Sequence, residues 1–301
     1  MVGVVDVGTT PAPPRRCYGT RVTHPETAPP AVGERRVGAR VELDVTAVAD
    51  LVFSVAVSAD HADARESLRA TVDGRDVALH EVRGTSHPTR LHRIPACPVG
   101  RFELRYEATV PTPGLPFEVT EADVIEYTRP SRYCDSDRLA AVSSTHFGHL
   151  TGWELVRSVV EWVRTNITYA SGSSDVTDGA LEAYLSRRGV CRDSAQLVIT
   201  FLRAQNVPAR LVSVYAPGLH PMDFHAVTEV AHEGRWLVVD ATGMAPRPAM
   251  VRIATGRDAA DAAFLTVLGG RAHLLSIRAD AAVDPSAALP ADNGTQPVTL
   301  G

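Results

Sequence analysis

The stretch from Gly189 to Asp240 constrains the fold of this chain more than any other part. It begins with Cys191, and Val198, Phe201 and Leu202 follow the cysteine at helical spacing. This spacing predicts a helix with Cys191 in its first turn, and the glycine just before it permits a sharp approach. The positive end of the helix dipole favours thiolate over thiol, so the position suits a nucleophile.

Two predicted strands follow, over residues 224–231 and 235–241. A turn centred on Glu233-Gly234 joins them, as is typical of a hairpin. With two residues in the turn, His232 faces Arg235, and this pairing fixes the register of the whole hairpin.

The same register brings a histidine and a carboxylate together. It places His225 opposite Thr242, and Asp240 becomes a diagonal neighbour of His225 on the same face. Diagonal neighbours across an antiparallel pair are within reach of each other's side chains. The hairpin alone therefore predicts an imidazole–carboxylate contact, and docking of the helix must add the thiol. Cysteine, histidine and an acid are the parts of an activated thiol nucleophile.

These residues resemble the transglutaminase-like superfamily, within the broader group of papain-like cysteine enzymes. Three motifs in order carry the likeness: Gly189-Val190-Cys191-Arg192-Asp193 before a helix, Asp223-Phe224-His225-Ala226, and Trp236-Leu237-Val238-Val239-Asp240-Ala241-Thr242. The likeness spans residues 37–275 and is greatest to bacterial members with a small β-rich domain in front of the core.

The resemblance implies that Cys191 is the nucleophile, that His225 is the general base and acid, and that Asp240 orients the imidazole. It implies an α+β fold, in which a small antiparallel β domain precedes a papain-like core of helices packed on an antiparallel sheet. Many relatives carry an aromatic residue and a histidine where this chain has Ser194 and Gln196, which changes the local substrate surface and leaves the other three residues intact.

The implied chemistry is acyl transfer on amide bonds through a thioester, with a peptide or another amide-bearing molecule as substrate. With water as acceptor the outcome is hydrolysis, and with an amine it is transglutamination. An exposed bacterial thioester meets water first, which favours hydrolysis without excluding an external amine. All 30 basic residues are arginines, so the chain has no lysine of its own to offer as an acceptor.

The loop before the histidine strand is the predicted border of the acyl-donor groove, with Leu219, Met222 and Asp223 as the substrate-binding residues. The second oxyanion donor, beside the backbone N–H of Cys191, is not assigned by the sequence. Its candidates are Trp153, Trp162 and Tyr169.

Neighbours of the cysteine have more ordinary interpretations. Asp193 is interpreted as an acid that stabilises the first helical turn. Arg192 either contacts an anion or forms an exposed salt bridge.

Two other classes of function stay open. One is a catalytically silent binding module built on the same core. The other is a metal site formed by Cys191, His225 and Asp240, although these residues lack the short ligand spacing that metal sites usually show.

Composition limits partners and compartment. The net charge is −5 and the arginines are not clustered, so nucleic-acid binding is not expected. The four cysteines, Cys17, Cys97, Cys134 and Cys191, show no paired spacing, and we expect no metal and no cofactor. Neither a signal peptide nor an apolar run long enough for a membrane span is evident, so we expect no membrane contact and a reducing cytoplasm. Abundant Ala and Val with arginine alone as the base suggest a GC-rich bacterial source.

Four regions are predicted along the chain: a disordered extension over 1–36, a β-rich domain over 37–127, a catalytic core over 128–278 and a flexible tail over 279–301. In the β-rich domain, Asp73-Gly74 marks a hairpin turn. In the core, a capping box from Thr151 to Glu154 predicts a helix running to about Asn166, and Asp178 is the predicted cap of a short helix.

Overall fold

The computed structural model describes residues 32–82, 87–114, 116–294 and 296–300. Cys17 and most of the predicted extension over 1–36 lie outside these residues. Fifteen strands and five α-helices occur in the part of the chain that is described. The predicted α+β class is confirmed.

Two antiparallel sheets contain most of the N-terminal strands. The strand order is β15-β1-β7-β3-β4 in one and β14-β2-β6-β5 in the other. The predicted hairpin turn is confirmed, since Val72 pairs with Arg75 and both intervening residues have positive φ. The strands are β1 Arg35–Ala47, β2 Ala49–Phe53, β3 Arg65–Val72, β4 Arg75–Asp76, β5 His80–Val82, β6 Leu91–Cys97, β7 Gly100–Val110, β14 Leu265–Leu268 and β15 Arg271–Val283.

Two strands of these sheets come from the C-terminal part of the chain. β15 pairs with β1 along its length, from Arg35 opposite Val283 to Ala47 opposite Arg271. Residues 279–283, which were expected to be flexible, therefore form part of a regular strand, because their backbone groups pair with those of β1. The proposed division of the chain at residues 127 and 278 stays a prediction, but the first β layer includes residues well beyond 127.

The helices lie in the second half of the chain. Their bounds are α1 Glu121–Tyr127, α2 Ala140–Phe147, α3 Gly152–Asn166, α4 Ala180–Ser186 and α5 Cys191–Ala204. The predicted helix ending at Asn166 is confirmed as α3. Two predicted caps are wrong. Thr151 makes no side-chain capping bond, and Asp178 lies one residue before the cap position of α4, which is Gly179, with its carboxylate accepting a bond from Asp175 N. No helix among the described residues is long and apolar enough to cross a membrane.

A four-stranded antiparallel sheet organises the core. Its order is β12-β11-β10-β13, with β10 Ala209–Tyr215, β11 His225–His232, β12 Arg235–Val239 and β13 Val251–Gly256. The predicted hairpin register is confirmed, since His232 pairs with Arg235. The two turn residues between them, Glu233 and Gly234, both have positive φ. β8 Thr168–Tyr169 and β9 Arg188–Gly189 form a short parallel pair beside this sheet.

Helix α5 packs against one face of the core sheet. Leu197, Phe201 and Leu202 are fully buried, and Thr228 on β11 donates a hydrogen bond to Ala195 O at 3.0 Å. A helix buried on nearly all sides is held by packing, and each such side chain contributes roughly 1.5–3 kcal/mol to stability. The first turn of α5 is thereby fixed at the end of the sheet where β11 begins.

Candidate active site

The residues that lead into α5 position Cys191, the predicted nucleophile. Val190 precedes the helix in an extended conformation, and Cys191 is its first residue, as predicted. Asp193 reaches back so that its Oδ2 accepts a hydrogen bond from Val190 N at 2.8 Å. A Cβ on Gly189 would lie 2.7 Å from the Asp193 Cβ, so this closeness requires glycine. Because Cys191 N is in the first turn, it has no helical acceptor and is available to a ligand.

Asp193 and Arg192 form one structural unit beside the thiol. Asp193 is 1% exposed, and its Oδ1 accepts bonds from Ser174 Oγ at 2.9 Å and Arg192 Nε at 3.2 Å. Arg192 also donates to the backbone O of Asp175 at 2.6 Å. The pair therefore ties the loop after β8 to the start of α5, a larger role for Asp193 than the dipole interaction predicted from the sequence.

His225 and Asp240 lie in contact, both almost fully buried. His225 Nε2 and Asp240 Oδ2 are 2.9 Å apart, which leaves Nδ1 of the ring for the thiol, and Cys191 is near enough to raise the pKa of the imidazole. Thr242 holds the other carboxylate oxygen, donating from its backbone N at 2.8 Å and its Oγ1 at 2.7 Å. The structure therefore brings the three predicted catalytic residues together in the order thiol, imidazole, carboxylate.

The charges of this cluster reinforce one another. Burial by itself lowers the pKa of His225, but the hydrogen bonds and charges of Asp240 and Cys191 outweigh it and raise that pKa to about 10. Burial likewise opposes ionisation of Asp240, yet His225 and Thr242 hold its pKa below the ordinary value. The arrangement thus favours an imidazolium beside the Asp240 carboxylate.

The predicted substrate-binding residues divide into a buried and an exposed part. Leu219 is 6% exposed and lies in a small apolar cluster with Val212, and its predicted substrate contact stays a prediction. Its side chain packs inward because the loop folds back on the core sheet. Met222 is half-buried, and Asp223 is exposed, with its Oδ1 accepting a bond from Phe224 N at 2.7 Å.

The structure separates the three aromatic candidates for the oxyanion donor. The Trp153 ring packs 5.4 Å from His232, near the far end of the hairpin. Trp162 lies 5.1 Å from the Phe201 ring inside an aromatic cluster. Tyr169 pairs with Gly189, two residues before the cysteine, and is 43% exposed. Burial raises the Tyr169 pKa, and the charges of Cys191 and Asp223 raise it further, as expected for a phenol beside both.

The sequence could not have singled out Tyr169, because the two-residue strand pair that positions it has no detectable periodicity. Cys97 and Cys134 are buried, and burial raises the pKa of Cys134 to about 12. Of the cysteines that the structure describes, Cys191 alone is half-exposed. Within the described ranges, no group of three or more His, Cys, Asp or Glu side chains could hold a metal ion.

Comparisons with known proteins give a family and one close structural likeness. A family model described as the transglutaminase-like superfamily matches residues 141–241, which contain all three clustered residues. A crystal structure from Cytophaga hutchinsonii, described as a candidate cysteine protease, is 29% identical with a TM-score of 0.79. That likeness covers 90% of this chain and 98% of the other.

The curated relatives match over shorter lengths. An uncharacterised protein of Mycobacterium leprae is 33% identical over 111 residues, which is 36% of this chain and 38% of the relative. An uncharacterised protein of Mycobacterium tuberculosis is 42% identical over 62 residues, or 21% of this chain and 20% of the relative. The match thus spans well under half the length of each of these relatives.

Proposed function

The chain belongs to the transglutaminase-like superfamily, and from that premise we propose that it is a cysteine-dependent acyl-transfer enzyme acting on amide bonds. One observation carries the proposal. A half-exposed thiol at a helix start lies near enough to an imidazole to raise its pKa, and a buried carboxylate holds that imidazole from the other side. These are the geometric relations of an activated thiol nucleophile.

In the first half-reaction, the Cys191 thiolate attacks the carbonyl carbon of the amide, and a carbon–sulfur bond forms. We assign stabilisation of the negative charge on the carbonyl oxygen to Cys191 N–H and the Tyr169 hydroxyl, because Tyr169 pairs with Gly189 and the charge of Cys191 raises its pKa. The His225 imidazolium then gives its Nδ1 proton to the leaving nitrogen. The carbon–nitrogen bond breaks, the amine departs, and a thioester remains on Cys191.

In the second half-reaction, neutral His225 takes a proton from the acceptor as the acceptor attacks the thioester carbon. Cys191 leaves as a thiolate, and the imidazolium is restored. Asp240 does not exchange a proton in either step. It holds the ring in one orientation and stabilises its charged form, as the buried carboxylate does in related triads.

The acceptor is either water or an external amine. Water gives amide or peptide hydrolysis, and an amine gives transglutamination. An amine acceptor must be external because the chain contains no lysine. The half-exposed thiol is compatible with both acceptors, and direct competition between them decides the product.

Mass spectrometry of the protein incubated with amide-bearing peptides, with and without a primary amine, tests the proposal. The expected results are a peptide adduct on Cys191, followed by release of an acid or of an amine conjugate. Cys191→Ser is the control: it is nearly isosteric but a far weaker nucleophile, so the adduct and the products should disappear while the fold remains.

Three other outcomes would contradict the proposal. Substantial turnover in Cys191→Ser, or an adduct on Cys134, would show that the nucleophile is misassigned. An unreactive Cys191 in the folded protein would favour the silent binding module. Loss of activity with a chelator, restored by a divalent metal, would favour the metal site.

A further inference from the structure

The chain segment after β15 returns to the catalytic half of the molecule. We call residues 284–294 and 296–300 the C-terminal strap. It runs past the loop after Asp240 and ends with Leu300, which is 2% exposed in the apolar cluster that also contains Val238. The strap was predicted to be flexible, but its contacts with the core are specific.

A buried ion pair fixes the strap to the core. Asp292 Oδ2 accepts bonds from Arg247 N at 2.9 Å and from Arg247 Nε at 2.8 Å, and its Oδ1 accepts from Arg247 Nη2 at 2.8 Å. Both side chains are largely buried. Burial opposes ionisation of Asp292, but Arg247 outweighs it and lowers the pKa of that carboxyl to about 2. Charge-assisted, bidentate pairs of this kind are geometrically specific.

The same arginine continues to the edge of the core sheet. β12 is an edge strand of that sheet, so its outer backbone groups need partners from elsewhere. Arg247 Nη1 donates to Val238 O at 2.8 Å, and Val238 N donates to Val298 O of the strap at 2.7 Å. Both outer backbone groups of Val238 are therefore held by the strap or by its ion pair.

Val238 lies two residues before Asp240, and β12 ends between them at Val239. We propose that the C-terminal strap is a positioning device for the candidate active site, in which Asp292, acting through Arg247 and the edge of β12, holds the Asp240 carboxylate against His225. Asp292 and Arg247 are positioning residues in this scheme, since neither touches the reacting atoms. The inference rests on the proposed function, because it concerns the same imidazole.

The bonds from Arg164 to the backbone of the Asp240 loop are longer than those of Arg247. Arg164 donates to Asp240 O at 3.2 Å and to Ala241 O at 3.3 Å, but it is partly exposed. An open cleft of about 400 Å³ lies between the strap and residues 243–247. The loop is therefore fixed at the Arg247–Asp292 contact more than by continuous packing.

The pH dependence of Cys191 alkylation distinguishes positioning from a merely structural role. If Asp240 drifts from His225, the imidazolium is less stabilised, so the reactive thiolate forms only at higher pH. We expect Asp292→Asn to move the acid limb of iodoacetamide labelling at Cys191 to higher pH, by about half a pH unit. Labelling is read at the Cys191 peptide by mass spectrometry, which needs no substrate.

Two reference variants complete the experiment. Asp240→Asn shows the full shift that loss of the carboxylate produces. Asp284→Asn is the matched control, because Asp284 lies in the same strap, but the hydrogen bonds that its carboxylate accepts come from the nearby Ser286, so the limb should stay unchanged. Circular dichroism checks that each variant is folded. If Asp292→Asn does not fold, Asp292→Glu keeps the charge but displaces it, and a smaller shift is expected.

The strap proposal would be overturned, with the proposed function left standing, if the limb shifts in Asp240→Asn but folded Asp292→Asn is labelled like the wild type. The same holds for Asp292→Glu where it replaces Asp292→Asn. An equal shift in Asp284→Asn would also overturn it. A wild-type profile like that of a free thiol would instead count against the proposed function itself.

Discussion

At the residue scale, the second oxygen of Asp240 matters as much as the first. One oxygen contacts His225 and the other accepts two bonds from Thr242, so Thr242 sets the rotation of the carboxylate while the position of the loop sets its distance from the ring. We expect Asp240→Asn to lower turnover by on the order of 10³–10⁴-fold with the fold intact, since an amide cannot stabilise the imidazolium. Steady-state kinetics with circular dichroism checks this. Wild-type turnover in this variant would show that another acid orients His225.

The exposed Asp223 predicts a charge preference at the mouth of the site. It lies two residues before His225, and its charge acts on Tyr169 beside the thiol. The ratio of the labelling rate with a cationic thiol reagent to the rate with an anionic one should therefore be higher at Cys191 than at a free thiol. Asp223→Asn should reduce that ratio by about fivefold, from Coulomb's law at roughly 8 Å in water. Asp137→Asn is an exposed control on a distant loop, and an equal drop there would remove the assignment.

His225 also links the site to stability. Its folded pKa of about 10 lies above the ordinary 6.5, so its contribution is fully present below 6.5 and is lost as pH rises through about 10. We expect the wild type to unfold at higher urea than His225→Gln at pH 6.5, with the gap closing by about pH 10. A gap that stays constant over this range would contradict the raised pKa.

At the element scale, the approach to α5 depends on one missing side chain. In Gly189→Ala the new Cβ would overlap Asp193 and disturb the Val190 contact. Overpacking of this kind typically costs about 1–3 kcal/mol, and slower labelling of Cys191 should accompany it. Urea denaturation and labelling rates measure both. Ser174→Ala, which removes a contact of Asp193 without adding an atom, should cost only about 0.5–1.5 kcal/mol.

Local patterns predicted some elements and not others. The Glu233-Gly234 turn predicted the hairpin, and the apolar spacing after Cys191 predicted α5. Both predictions succeed because hairpin register and helix periodicity are properties of contiguous residues. The pairing of β15 with β1 and the Arg247–Asp292 contact join distant residues, and no local period encodes such a partner. The inward packing of Leu219 was not predictable for the same reason: its loop shows that the chain turns, but not which way the side chain points.

At the scale of the whole molecule, buried charges link three strands of the core sheet. Arg210 and Arg252 both bond to Glu229, and all three side chains are almost fully buried. Burial opposes ionisation of Glu229, but the two arginines lower its pKa to about 2. Glu229→Gln leaves two buried cations with no counter-charge at that position, which should cost about 3–5 kcal/mol at neutral pH.

The pH dependence of that loss has a definite sign. The stabilisation from Glu229 is present above its ordinary pKa of 4.5 and is lost as pH falls toward about 2. The difference in unfolding free energy between the wild type and Glu229→Gln should therefore shrink over this interval, as urea denaturation would measure. Glu161→Gln, at an exposed ion pair, should change stability little at any pH.

The pairing of β1 with β15 has a consequence for how the protein is made. Val41 leaves the ribosome long before Ile277, its partner across the sheet. At a synthesis rate of ~5–20 residues per second, that edge of β1 waits on the order of ten seconds or more for its neighbour. During that interval the nascent chain exposes unpaired backbone and apolar side chains of the first β layer, so a chaperone that shields extended segments has its natural target there.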